Sequence, residues 1–140
     1  MVLEDGGRRS NRRDANNTYS PRDSVRGKII IPFTNDNDNN NKKRVRKVEV
    51  ILSAIEFANL FVNDVWTERR EVIEEYNETI NLKQEHDSNN NNNIAFEIQI
   101  PDNAKRNYVA KYSEYYWLLE AKLNIPNARD VIVSTIIEVL

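Results

Sequence analysis

The sequence predicts an all-β fold, a sandwich of antiparallel sheets in one domain. Three observations support this: short segments alternate apolar and polar residues, β-branched side chains are abundant in them, and turn signals separate them. With 140 residues the chain has the size of a single domain and is long enough to bury a core without disulfides or metals. We expect residues 1–140 to form one domain, with a flexible region at 1–17 and Asn-rich loops at 35–41 and 88–93.

The first strand follows a turn. Pro21 favours a turn that Asp23 can cap, and Val25 with the isoleucines at 29–31 favours a half-buried strand. Gly27 inside this strand predicts either a bulge or the close approach of another backbone.

Two further strands alternate cleanly. One face of segment 45–52 carries Val48, Val50 and Leu52. Segment 96–101 alternates in the same way and ends at Pro101, which has no backbone N–H to donate to a sheet.

Segment 112–125 is the best candidate for the central strand. One face carries Tyr115, Trp117, Leu119, Ala121, Leu123 and Ile125, and the opposite face includes Tyr116. A turn is expected at 124–130 around Pro126, and a final β-branched strand at 131–140.

Segment 56–82 is ambiguous, because its apolar residues also fit one face of a helix. Asn59, the pair Asn63–Asp64 and Asn77 argue against a continuous helix, and residues 76–82 alternate as in a strand. We predict a continued strand, a mobile connection and another strand, with a short helix at 60–82 as the alternative.

The asparagine runs at 35–41 and 89–93 disfavour both helix and strand interiors. They predict solvated loop insertions, since a longer exposed loop adds little closure cost.

From Tyr19 onward these features resemble, in order, the amino-terminal type of arrestin-like domain. That type includes α-arrestins, the retromer subunit of arrestin fold and sporulation-control-like proteins of bacteria and archaea. The matching pieces are Tyr19-Ser-Pro-Arg-Asp-Ser-Val-Arg-Gly27, the strand 48–52 with Glu56, Trp66, segment 96–101 and segment 111–126 with 128–130. The resemblance covers most of the chain and implies an immunoglobulin-like, arrestin-type β-sandwich that serves as a scaffold or adaptor in trafficking or signalling.

Two positions depart from that pattern. Arg22 stands where the turn of these domains usually carries glycine, and residues 1–9 lack the lysine pair that senses phosphate in receptor-binding arrestins. The resemblance therefore does not imply phosphate sensing by the first segment.

Composition narrows the function classes. Lys and Arg number 20 against 22 Asp and Glu, so no whole-chain field attracts nucleic acid or an anionic membrane. The absence of cysteine excludes a disulfide framework and a thiolate site, and it fits the reducing cytoplasm, where we expect the protein. No stretch has the roughly 20 apolar residues of a membrane-spanning helix.

Catalytic patterns are weak. The only histidine, His86, has no second histidine to complete a metal or acid–base site, and Glu71, Glu74 and Glu75 fit a solvated charged face better than a cation clamp. No glycine-rich phosphate loop or nucleophile elbow is present. We expect neither enzyme activity nor a cofactor.

The candidate contacts with an anion or a partner are Lys42, Lys43, Arg44, Arg46 and Tyr116. Basic side chains pair with phosphate oxygens, but they also protect exposed sheet edges, and we favour the second role. The leading hypothesis is a protein-binding adaptor that adds a partner's strand to a sheet edge. The alternative is a basic-patch module that binds anionic lipid, phosphopeptide or nucleic acid.

Overall fold

All regular elements in the described residues are β-strands. A computed structural model describes residues 1–3, 17–30, 45–81, 93–125 and 128–140. The strands are β1 (Val2–Leu3), β2 (Thr18–Tyr19), β3 (Ser24–Ile30), β4 (Lys47–Val62), β5 (Val65–Asn81), β6 (Asn93–Gln99), β7 (Tyr108–Val109), β8 (Ser113–Asn124) and β9 (Val131–Val139). Within these ranges, no helix has the length and apolar character needed to cross a membrane.

The strands form two sheets. One is three-stranded, in the order β1-β3-β6, and the other is six-stranded, in the order β2-β9-β8-β4-β5 with β7 also paired to β8. The pairs are antiparallel except for β2 and β9, which run parallel. The predicted antiparallel sandwich is confirmed, and β8 lies between β4 and β9 as expected for the central strand.

The core lies between the two sheets and is filled by the inward faces of alternating strands. Its members on the smaller sheet include Val25, Ile29, Ile94, Phe96 and Ile98, and those on the larger sheet include Val48, Val50, Leu52, Tyr115, Trp117, Leu119, Ala121 and Leu123. The inward faces predicted for segments 48–52, 96–100 and 115–123 are therefore confirmed.

An irregular segment after β6 is tied to β8 and β9 by side-chain hydrogen bonds. The Trp117 indole Nε1 donates to the Lys105 carbonyl oxygen at 2.7 Å. The Asn107 amide donates through Nδ2 to the Ile137 carbonyl oxygen at 2.8 Å and accepts through Oδ1 from the Val139 N–H at 3.0 Å. The Asn107 side chain thus satisfies backbone groups at the end of β9.

The turn before β3 has the predicted cap. The Asp23 N–H donates to the Ser20 carbonyl oxygen at 3.1 Å, and the Ser20 N–H donates to Asp23 Oδ2 at 2.8 Å. Pro21 occupies the first central position, and Arg22 occupies the second with a φ of 74°. This is the conformation of a type II turn, in which glycine is favoured at the position that Arg22 fills.

Of the two alternatives predicted at Gly27, a bulge and the close approach of another backbone, the bulge is wrong. The register of β3 with β6 runs without a shift, and Gly27 lies opposite Phe96 on one side and Leu3 on the other. Regular pairing on both sides leaves no extra residue to accommodate, so a bulge has no place there.

The described part of segment 56–82, residues 56–81, belongs to a long β-hairpin. β4 continues to Val62, and β5 begins at Val65 after a two-residue turn in which Asn63 and Asp64 have φ values of 51° and 62°. Positive φ at both turn residues is typical of the type I′ turns that close tight hairpins. The predicted strands are confirmed, whereas the short helix and the mobile connection between the strands are wrong.

Several expected loops fall outside the described residues. These are the Asn-rich loop 35–41, residues 88–92 of the second loop, and residues 4–16 of the expected flexible region. Two described parts of the expected 1–17 and 88–93 regions lie in strands. Val2–Leu3 pairs with β3, and Asn93 is the first residue of β6.

Candidate partner-binding edge

β5 is the long outer strand of the larger sheet. It has 17 residues and pairs with β4 along its length. Within the described ranges no strand pairs with its other side. Alternate residues of such a strand direct their backbone N–H and C=O groups away from the neighbouring strand, so this edge can accept another strand.

A bulge divides β5 into two halves. Ile55 of β4 pairs with Val72 and the preceding Ala54 pairs with Glu74, so Ile73 is an extra residue without a partner on β4. Bulges twist an edge and interrupt its ladder, which limits pairing between identical edges. Either half of β5 remains long enough to pair with a short extended segment.

The second half of β5 has an inner and an outer face. Glu74, Tyr76 and Glu78 lie opposite the core residues Ala54, Leu52 and Val50, so they share the inner face. The outer face carries the alternating residues Glu75, Asn77 and Thr79.

A cleft of about 310 Å³ lies between this inner face and the end of β6. It is lined by Tyr76, Asn77, Glu78, Ile98, Gln99, Ile100, Pro101 and Asp102. The cleft therefore joins the exposed edge of the larger sheet to the last residues of a strand in the smaller one. Ile98 and Ile100 are buried in the core beneath it, so its accessible lining comes mainly from Tyr76, Pro101 and the acidic residues Glu78 and Asp102.

Carboxylates dominate the charge near this edge. Glu71 lies directly opposite Glu56, and the only ion pair found here among the described residues joins Glu71 to Arg69 at 3.2 Å. The Tyr76 hydroxyl donates to Glu74 Oε2 at 3.4 Å, and burial together with the Glu74 charge raises the pKa of Tyr76. The inner side of β5 is consequently acidic and aromatic.

An aromatic cluster occupies the hairpin tip. The rings of Phe61 and Trp66 are 5.1 Å apart, and the Trp66 ring stacks on Tyr112 at 5.5 Å. The Lys111 Nζ lies 5.0 Å from the centre of the Tyr112 ring. All three aromatic side chains are exposed, with Trp66 54% accessible, so the cluster is a surface feature and not an extension of the core.

The residues predicted as contacts do not converge on one site. Lys42, Lys43 and Arg44 lie outside the described residues, and Arg46 is exposed just before β4, where its N–H donates to the Asn124 carbonyl oxygen at 2.9 Å. Tyr116 lies on the outer face of β8, half-buried and directly opposite Ile55.

The described candidates for metal binding, Glu71, Glu74 and Glu75, do not form a metal site. Glu71, Glu74 and Glu75 are spread over β5, and His86 falls outside the described residues. In the part of the chain that the structure describes, no group of three acidic or histidine side chains could hold a metal ion.

Sequence reasoning did not single out Glu74, Tyr76 and Glu78 as candidates for a binding surface. The alternation of segment 76–82 indicated a strand, but nothing local marks that strand as the outermost one. The sequence favours Tyr116 as the surface aromatic, whereas in the structure Tyr112 is 49% accessible and stacks on Trp66.

Comparison with known proteins agrees with this architecture. The crystal structure of Spo0M, a sporulation control protein from Bacillus subtilis, superposes with a TM-score of 0.52 over 99% of this chain at 16% sequence identity. The chain has an arrestin-like fold. It spans 46% of the length of Spo0M, less than half, so the arrestin-like fold is what the two have in common. No protein-family model matches the sequence, and no curated protein matches it.

Proposed function

We propose that this arrestin-like domain is a non-catalytic adaptor that binds an extended segment of a partner protein by strand addition to β5. The observation that carries the proposal is the long outer edge of β5, which no other described strand covers. An added strand gains affinity from backbone hydrogen bonds and specificity from alternate side chains.

The edge has features that favour a selective partner over self-association. The bulge at Ile73 interrupts the ladder, and charged residues such as Arg70 and Glu75 line the strand. Both features discourage pairing between identical long edges. A short partner segment of complementary charge needs only one half of β5. Neither the bulge nor the charged residues therefore prevent it from pairing.

The fold supports the proposal at a general level only, since one fold serves many functions. An adaptor of this kind requires no cofactor and no reaction. Its activity lies in presenting a fixed sheet edge to a flexible partner, which orders on binding.

Alternate N-methylation of the partner segment tests strand addition. A partner is captured on the immobilised domain from extracts of the producing cells, and its binding segment is mapped and synthesised. Two versions are then made: one is N-methylated at the odd-numbered residues of the segment and the other at the even-numbered residues. Only one version lacks the amides that pair with β5, so we expect one version to lose binding and the other to keep it.

Equal binding by both methylated versions would rule out backbone pairing. Loss of binding with rising salt, while both versions stay equivalent, would instead favour the basic-patch alternative, since electrostatic binding weakens steeply as salt rises.

A further inference from the structure

We propose that the cleft beside β5 binds the side chain of a lysine or arginine carried by the added strand. This inference rests on the proposed function, because the basic side chain reaches the cleft from a strand paired with β5. It specifies the chemistry of the partner: an extended segment with a cationic residue on the face that packs toward the smaller sheet.

The position of the cleft suits a side chain of an added strand. In antiparallel or parallel pairing, directly opposed residues place their side chains on the same face of the sheet. A residue opposite Tyr76 or Glu78 therefore points to the inner face, where the cleft lies. The next residue of the partner points to the outer face and cannot enter it.

The lining matches the two parts of a basic side chain. The half-buried Pro101 offers an apolar surface to the methylene stem, while Glu78 and Asp102 offer carboxylates to the charged head. Lysine and arginine commonly bury their stems along apolar surface with the charge left at the rim. The Tyr76 ring adds an aromatic wall, against which a cation is attracted.

The chain itself shows that a rim carboxylate accepts a guanidinium. The Arg22 Nε lies 3.3 Å from Asp102 Oδ1, with side chains that are 75% and 69% accessible. A pair this exposed contributes little and exchanges readily with a competing cation. Glu78 has no ion-pair partner among the described residues, and Glu74 adds its charge nearby through its contact with Tyr76.

A set of matched peptides tests the inference. The probe is the blocked peptide Thr-Val-Thr-Lys-Thr-Val-Thr, which alternates as a strand and carries one lysine. The control peptides replace the lysine by norleucine, which keeps the stem without the charge, or by glutamate. Binding is followed by NMR, with backbone amides of β5 reporting strand addition and the side-chain signals of Tyr76 and Pro101 reporting occupation of the cleft.

We expect the lysine peptide to shift both sets of signals and to bind about tenfold more tightly than the norleucine peptide, because it gains a rim ion pair and a ring contact. Glu78→Gln should remove most of this preference. Glu75→Gln is the matched control, since it removes the same charge from the outer face of the same strand, and it should leave the preference intact.

Two outcomes would overturn the cleft inference while leaving strand addition in place. One is equal binding of the lysine and norleucine peptides with shifts of the β5 amides. The other is an equal loss of the preference for lysine in Glu75→Gln and Glu78→Gln. This would show that the lysine is attracted by the negative charge of the whole edge and not by a defined cleft. If no peptide shifts the β5 amides, strand addition itself fails and the cleft inference falls with it.

Discussion

The Trp117 indole Nε1 donates a hydrogen bond of 2.7 Å to the backbone carbonyl oxygen of Lys105. The ammonium of the same lysine lies 4.9 Å from the centre of the Tyr108 ring and 4.8 Å from that of Tyr115. Lys105 therefore contacts aromatic side chains through both its backbone and its side chain. The irregular segment that contains Lys105 is anchored in this way to the central strand.

Replacing Trp117 by alanine should destabilise the domain severely. The side chain is fully buried, and deleting a core aromatic costs about 3–5 kcal/mol. Trp117→Phe keeps a ring but removes the donor to Lys105, so we expect an intermediate loss of about 2 kcal/mol. Urea denaturation measures both changes, and an alanine variant with an unchanged midpoint would contradict the burial of this residue.

Substitution of Asn107 should lower the stability of the domain far more than substitution of an ordinary asparagine in an irregular segment. Asn107→Ala leaves the Ile137 carbonyl and the Val139 N–H without their side-chain partner, at a cost of about 2 kcal/mol. Asn107→Asp keeps an acceptor for Val139 but loses the donor to Ile137, so it should be less damaging than alanine. Thermal unfolding would contradict this ranking if the alanine variant were the more stable of the two.

Glycine should be preferred at position 22. Arg22 has a φ of 74°, a region that is unfavourable for residues with a Cβ atom, and its ion pair with Asp102 is exposed. We expect Arg22→Gly to be about 1 kcal/mol more stable than Arg22→Ala, since both lose the ion pair and only glycine loses the backbone strain. Chemical denaturation that places alanine level with glycine would argue against strain in this turn.

Ionisation of Tyr115 should destabilise the domain in alkaline solution. Burial, followed by the charges of Glu74 and Glu56, raises the pKa of Tyr115 above its ordinary value of 10.0. The unfolded chain then releases this proton first, so stability is fully present below pH 10.0 and is lost as the pH rises through the folded pKa. Tyr115→Phe should lose less stability than the wild type between about pH 9 and pH 11. Equal losses of stability in the wild type and the variant over this pH range would contradict the raised pKa of Tyr115.

Substitution of the basic residues before β4 tests which of the two function hypotheses holds, the protein-binding adaptor or the basic-patch module. If Lys42, Lys43 and Arg44 protect a sheet edge, changing all three to glutamine should increase aggregation and leave partner binding unchanged. If they bind phosphates, the same change should weaken binding to anionic vesicles or phosphopeptides and flatten its salt dependence. Light scattering and titration at two salt concentrations measure these effects, and we expect the first result.

Most of the architecture could be predicted because alternation is a local signal. The faces of β6 and β8 follow directly from which residues are apolar, and Trp117 falls on the buried side by that rule alone. The turn at Asn63–Asp64 was also present in the sequence, since both residue types tolerate positive φ. By itself the pair indicates only the interruption of a helix, because a tight turn forms there only when β4 and β5 pair over their whole length.

The candidate site could not be predicted in the same way. The cleft exists because the end of β6 and the residues that follow it, 98–102 in all, lie beside Tyr76 and Glu78 of another sheet. That proximity depends on how the two sheets pack, and no pattern within either segment encodes it. The edge position of β5 likewise depends on which strands are its neighbours, which is a property of the whole topology.

The parallel pairing of β2 with β9 constrains how the domain folds. Thr18 lies opposite Glu138, and the Leu140 N–H donates to the Tyr19 carbonyl oxygen at 2.9 Å, so contacts join positions separated by almost the whole chain. Such long-range closure is slow, and sandwiches dominated by it fold in milliseconds to seconds. The β4–β5 hairpin can form early from neighbouring residues, whereas β2 must wait until β9 has been synthesised. A nascent chain therefore carries its long outer strand for some time before the sandwich closes.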